Sequence, residues 1–217
     1  MKRINKKNHF IWLTLSLLGL LVAGAFSRDI PESVTLELIV YTSVVLLFLS
    51  LRSLNSTRKW RALFLLLIVA EILTVIVHEA IGFPYFQFFY LGLLLVFMMA
   101  AAWIVGNEVL LTGTVDINVI VGSVALYMLI GFIWSIFYTL LLEFSPTALT
   151  GIEAGSWYDH MPNTTYFSFV TLTTLGFGDI SPSTPIAEAL VILEAITGMF
   201  YMAVVVASLI GSMRNKA

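Results

Sequence analysis

Apolar positions along this chain run in long unbroken blocks, not in the alternation of a half-buried strand or the narrow stripe of a surface helix. The blocks fall at 10–26, 34–51, 62–77, 85–105, 117–142 and 186–213. A bilayer-crossing helix needs roughly 20 mostly apolar residues. The third block is the short one and can extend to His78. The pattern predicts an all-α membrane protein of six transmembrane helices. A shorter element lies between the fifth and sixth. Pro162-Asn163-Thr164-Thr165 offers a helix start with Asn163 or Thr164 as the cap, so 166–173 reads as a short re-entrant helix. Its C-terminal, partly negative end would point inward and favour a cation there. Irregular backbone at membrane depth is tolerated only inside protein or along a water-filled path, and the run after Thr173 is expected in such a place.

Composition agrees with the pattern. The 217 residues are 59% hydrophobic and only 11% charged, against about a quarter charged in a soluble domain. Cysteine is absent, which excludes disulfides and thiolate metal sites. No nucleophile–base set or cofactor loop is visible, so the sequence predicts no enzyme, no cofactor and no nucleic-acid partner. Only 214–217 follow the last block, too little to encode a cytoplasmic ligand-binding ring. Ala23-Gly24-Ala25 after a basic start also fits a cleaved signal peptide, but the first block is longer than the about 7–15 residues of a signal core. The first helix is therefore read as retained.

Charge supplies orientation. Of eleven basic residues, Lys2, Arg3, Lys6, Lys7, Arg52, Arg58, Lys59, Arg61, Arg214 and Lys216 share one side if there are six spans, and only Arg28 falls on the other. Both termini are expected on the cytoplasmic side of a plasma (inner) membrane. Residues 1–112 then form a four-helix peripheral bundle and 113–217 a pore domain. The fourth helix begins Tyr85-Phe86-Gln87-Phe88-Phe89-Tyr90 and carries no arginine or lysine, so the bundle lacks the charges a voltage sensor moves. No basic residue occurs between Arg61 and Arg214, while acids continue from Glu71 to Glu194. An acidic lining favours cations.

One run concentrates the chemistry: Thr171-Leu172-Thr173-Thr174-Leu175-Gly176-Phe177-Gly178-Asp179. Gly176 and Gly178 alternate with larger residues and tolerate left-handed backbone. Alternation of hand turns successive carbonyls the same way. Four such runs about one axis would stack carbonyl rings that replace the hydration shell of a cation.

TLTTLGFGD resembles the TxTTxGYGD filter signature of tetrameric potassium channels, and the chain is similar to prokaryotic six-helix pore-loop channels without sensor arginines. The resemblance is specific over about 164–213, weaker over the fifth helix and only architectural before it. It implies a homotetramer in a lipid bilayer that conducts monovalent cations, with K⁺ as the permeant ion at Thr174, Leu175, Gly176, Phe177 and Gly178. Thr173, Tyr166, Phe167 and Asp179 would support the filter, Asp179 through hydrogen bonds to the short helix. Gly198, 19 residues after Asp179, stands at the spacing of the inner-helix hinge, with close packing as the competing role. Met199, Met202, Val206 and Ile210 would line the cavity. Leu175 and Phe177 depart from the commonest filter residues. Leu175 needs packing space behind the filter, and Phe177 lacks the hydroxyl that anchors the tyrosine. A GFG filter also occurs in two-pore-domain potassium channels. A non-selective cation channel, or a non-conducting membrane sensor or partner subunit, are the alternatives. Transporters of the Trk/Ktr type place four such loops in one chain, and only one is visible here.

Glu194 is an acid inside an apolar span, where ionisable residues mark functional positions. It is read as support behind the filter. Glu37 and Glu71 are similar intramembrane acids, and Glu71 is expected uncharged or hydrogen-bonded. His78 with Glu79, and Asp159 with His160, are too sparse for a metal site and read as surface pairs.

Overall fold

The structure is a computed structural model that describes residues 9–26, 58–82, 85–111 and 116–214. Its elements in chain order are α1 (His9–Phe26), α2 (Arg58–Ile81), α3 (Phe86–Leu111), α4 (Ile117–Phe144), β1 (Leu149–Thr150), α5 (Trp157–Leu172), β2 (Ser181–Pro182) and α6 (Pro185–Arg214). Arg58–Ile81, Phe86–Val109, Ile117–Phe144 and Pro185–Val205 are long and apolar enough to cross a membrane, and Phe10–Phe26 is a shorter apolar helix. The chain is a membrane protein. The predicted span at 34–51, with Glu37, lies outside the described residues. α2 extends past its apolar block at both ends, because hydropathy marks the stretch that suits lipid, whereas Arg58, Lys59 and His78 are competent helix residues outside it.

α4 is the hub. It packs against α1, α3 and α5, whereas much of α6 is exposed in the single chain. Apolar contact between helices gains little over contact with lipid tails, so close approach and buried hydrogen bonds must hold the bundle. Gly122 shows the first. A Cβ there would come within 2.7 Å of the Phe10 ring and 2.9 Å of Val109, so the missing side chain makes the notch that seats Phe10. Nearby, the Thr14 hydroxyl lies 3.2 Å from the Val121 carbonyl and the Phe10 amide donates to Asn118 Oδ1 at 3.4 Å. The core runs without a break from Phe10 and Leu17 through Phe64 and Phe97 to Leu129 and Ile136. α1 and α3 rest on the α4 of their own chain. Glu71 is fully buried, and its carboxyl oxygens have no hydrogen-bond partner among the described residues.

The short helix differs from expectation. α5 starts at Trp157, well before Asn163, and Pro162 lies inside it. Ser156 and Asp159 provide the start. The Ser156 amide donates to Asp159 Oδ2 at 3.0 Å and the Ser156 hydroxyl donates to the same oxygen. An acid in the first turn also complements the helix dipole. Pro162, without an N–H, forgoes one backbone bond within the helix so started. The reading of Asp159 and His160 as a surface pair is corrected too. Asp159 is the capping acid, and His160 is buried with Nδ1 3.7 Å from Glu143 Oε1.

A second small core of Tyr138, Leu142, Leu149, Phe167, Ile180 and Ala187 lies beneath a two-stranded ribbon. β1 and β2 are antiparallel, with Leu149 opposite Pro182 and Thr150 opposite Ser181. The Ser183 amide donates to the Ala148 carbonyl at 2.9 Å, and the Thr150 and Ser181 hydroxyls meet at 2.9 Å. The ribbon ties the chain leaving the 173–179 run to the α4–α5 connection.

Candidate functional site

The site is built on the C-terminal turn of α5. Residues Thr173 to Asp179 leave this helix and are all exposed in the single chain. Thr174, Gly176 and Gly178 have φ of 61°, 55° and 81°. Left-handed backbone thus recurs at every second residue, and it includes a threonine. A non-glycine residue with positive φ costs of order 1–3 kcal/mol and persists only where its surroundings fix it. The fixing bonds are visible. The amide of Thr173 donates to Phe169, that of Thr174 to Thr171, and those of Leu175 and Gly176 both to Val170, at 3.1, 2.9, 3.0 and 3.4 Å. Four consecutive N–H groups therefore return to the last turn of α5, which leaves their carbonyls free of that helix. The Thr173 hydroxyl also bonds the Phe169 carbonyl at 2.6 Å, and the Tyr127 hydroxyl donates to that of Leu172 at 3.1 Å.

The far end of the run has its own ties. The Tyr166 hydroxyl donates to Asp179 Oδ2 at 2.8 Å. This bond, helped by backbone amides, holds the Asp179 carboxyl below the usual carboxylate range. Phe167, its neighbour on α5, is buried against Tyr138 with ring centroids 5.0 Å apart. Gly151, with φ 84°, brings its backbone against Asp179, where a Cβ would sit 2.0 Å from the Asp179 carbonyl oxygen. Leu175 and Phe177 are 61% and 67% exposed. The expected packing of Leu175 behind the run is not made within one chain.

Glu194 lies on α6 and is fully buried. The Tyr138 hydroxyl of α4 donates to its Oε2 at 2.6 Å, and Ser168 Oγ of α5 stands 2.6 Å from its Oε1. Ser168 Oγ is also 2.7 Å from the Gly131 carbonyl. One carboxyl group thus joins three helices two residues before Val170. Further along the same interface, Ser135 meets Thr165 at 2.8 Å and Thr139 meets Thr164 at 2.7 Å.

Gly198 sits inside the continuous α6, where a Cβ would lie 2.1 Å from the Leu172 carbonyl oxygen. Close approach of α6 to the end of α5 thus needs glycine there. Met199 and Met202 are exposed, and Val205 is buried. Val206 and Ile210 continue along the helix, and their side chains lie outside the described residues.

The sequence names the 173–179 run, Tyr166, Phe167, Asp179, Glu194 and Gly198 as candidates. It does not name Tyr138, Ser168, Tyr127 or Gly151. Tyr138 and Tyr127 are polar positions within the 117–142 apolar block and Ser168 lies on the short helix, and residue type marks them only as polar. Gly151 lies in a connection with no periodicity to read.

Residues 117–215 match the family model described as an ion channel. That stretch is just under half of the chain and runs from the start of α4 to the end of α6. No curated protein and no solved structure matches the chain. The C-terminal segment is thus similar to ion channels, a family that acts by passive ion conduction and not by enzymatic chemistry.

Proposed function

We propose that this chain forms a homotetrameric channel that conducts K⁺ passively, with the 173–179 run as its selectivity filter. The observation that carries the proposal is the left-handed backbone at Thr174, Gly176 and Gly178, with the amides of Thr173 to Gly176 held by α5. Alternate hands turn successive carbonyls to one side, and four copies about an axis present them as rings of fixed dipoles. Thr174, Leu175, Gly176, Phe177 and Gly178 supply the oxygens to the permeant ion. α5 is the re-entrant pore helix. Asp179, tied to Tyr166, holds the outer end, and Thr173 with Phe167 holds the inner end and the back. Met199, Met202, Val206 and Ile210 face the cavity below, and Gly198 lets the inner helix seat against the pore helix and serves as its hinge.

Both termini face the cytoplasm of the plasma membrane, as the basic residues require. The exposure of Leu175 and Phe177 fits burial against neighbouring copies. A non-selective cation pore is the second reading, and the observation favouring it is Phe177, which has no hydroxyl to anchor the filter wall.

The test is purified protein in liposomes loaded with K⁺. Wild type carries K⁺ flux. Gly176→Ala, which puts a side chain where φ is 55°, abolishes the flux while the protein stays folded and oligomeric. Flux that survives this change, or wild-type protein that carries none, overturns the proposal.

A further inference from the structure

We infer that Glu194 holds a proton and works as a neutral carboxylic acid that positions the filter through Ser168. The inference rests on the channel reading for its function, but on proton counting for its chemistry. Three short oxygen–oxygen contacts meet here: Tyr138 Oη to Glu194 Oε2 at 2.6 Å, Glu194 Oε1 to Ser168 Oγ at 2.6 Å, and Ser168 Oγ to the Gly131 carbonyl at 2.7 Å. Each needs one proton between its oxygens. Tyr138 and Ser168 bring one each, and a carbonyl and a carboxylate bring none. With Glu194 ionised, one contact is left as two lone pairs facing each other at hydrogen-bond distance. With the acid proton on Oε1, all three are satisfied. Oε1–H donates to Ser168, Ser168 donates to Gly131, and Tyr138 donates to Oε2.

The surroundings agree. The site is fully closed to solvent. The side chains on the acid are the hydroxyls of Tyr138 from α4 and Ser168 from α5, with Tyr127 of α4 as the further titratable group facing it. No lysine or arginine occurs between Arg61 and Arg214, so α3 to α5 and all of α6 before Arg214 have none to offer as a counter-charge. A charge buried without a partner is costly, and a fully satisfied polar network is not.

The consequence falls on the filter. Ser168 is two residues before Val170, whose carbonyl receives the amides of both Leu175 and Gly176. The chain from Gly131 through Ser168 to Glu194 fixes the pore helix between the two long helices, and with it the carbonyl on which the filter hangs. Glu194 is a positioning residue. It touches no ion.

Glutamine copies the neutral acid, since its NH₂ donates to Ser168 and its carbonyl accepts from Tyr138. Glu194→Gln is therefore the decisive variant, and it is expected to fold. Infrared difference spectra of purified wild type minus Glu194→Gln at neutral pH should show loss of a protonated-carboxyl band. Loss of carboxylate bands instead would overturn the assignment, whether or not the protein conducts. In liposomes, Glu194→Gln should keep K⁺ flux and K⁺ over Na⁺ preference within about twofold of wild type. Ser168→Ala, which leaves the acid proton and the Gly131 carbonyl without their shared partner, should lower flux about tenfold, the effect of a buried group left unpaired. Glu194→Gln as impaired as Ser168→Ala would overturn the positioning role, as would Ser168→Ala indistinguishable from wild type. A wild type without flux would instead remove the channel reading and leave the spectroscopic result standing.

Discussion

Single residues set this site by what they lack as much as by what they carry. Gly198 leaves room for the Leu172 carbonyl, and a methyl group there must push two helices apart. Gly198→Ala is expected to destabilise the purified protein by about 1–3 kcal/mol, the usual range for overpacking, as a lowered melting temperature in detergent. Tyr166 and Asp179 make a different kind of link. The Asp179 carboxyl is held low by the Tyr166 hydroxyl, so the folded state prefers the ionised form. The contribution of that bond is present above the ordinary carboxylate range and fades as pH falls through the lowered value. Asp179 is fully exposed to water, so the effect is small. Acidifying the outer side below about pH 4 should loosen the filter end and speed the decay of current. Tyr166→Phe should already show fast decay at neutral pH and respond less to acid. Equal acid responses in the two proteins would remove the link. These residues were legible to different degrees. The spacing of Thr174, Gly176 and Gly178 exposed the alternating left-handed run, because backbone hand is written in residue type. Ser168 and Tyr138 escaped because a hydroxyl in the sequence does not show which group on another helix it meets.

Elements show where local signals outweigh long ones. Pro162 looks like a helix start, yet Ser156 and Asp159 cap the helix earlier and the proline rides inside. Hydropathy found the long helices because the bilayer selects for length and apolarity. It missed the ends, which caps and turns decide. The β1–β2 ribbon was illegible, since each strand has two residues and its partner lies beyond α5 and the 173–179 run. Its position gives it a task. Gly151 presses its backbone on the Asp179 carbonyl, so the ribbon meets the chain as it leaves the 173–179 run. Gly151→Val places a branched side chain where φ is 84° and where a carbonyl already lies. The expected result is K⁺ flux with reduced preference over Na⁺, measured by ion competition in liposomes. Unchanged preference would mean that the ribbon does not brace the filter.

At the scale of the whole molecule, α1 to α3 and the segment that starts at α4 share one interior. α1 seats Phe10 in the Gly122 notch, and α3 lies along α4 of the same chain. Phe10→Ala should empty that notch and lower stability by about 3 kcal/mol, seen as a drop in detergent melting temperature, although the residue is far from the filter. A result near zero would show that α1 is not part of the fold's core. The same bundle has no arginine or lysine on α3, which leaves the field little charge to move. Currents should therefore show weak or no dependence on voltage over the physiological range, and steep activation would contradict this reading of the bundle.

The central claim is that four carbonyl-lined runs select K⁺, and the most direct measurement is the reversal potential of the purified protein in a bilayer with K⁺ on one side and Na⁺ on the other. The expected potential is displaced far toward the K⁺ equilibrium value, and the displacement is lost in Gly176→Ala. A potential near zero with sustained current would contradict K⁺ selection and leave a non-selective cation pore.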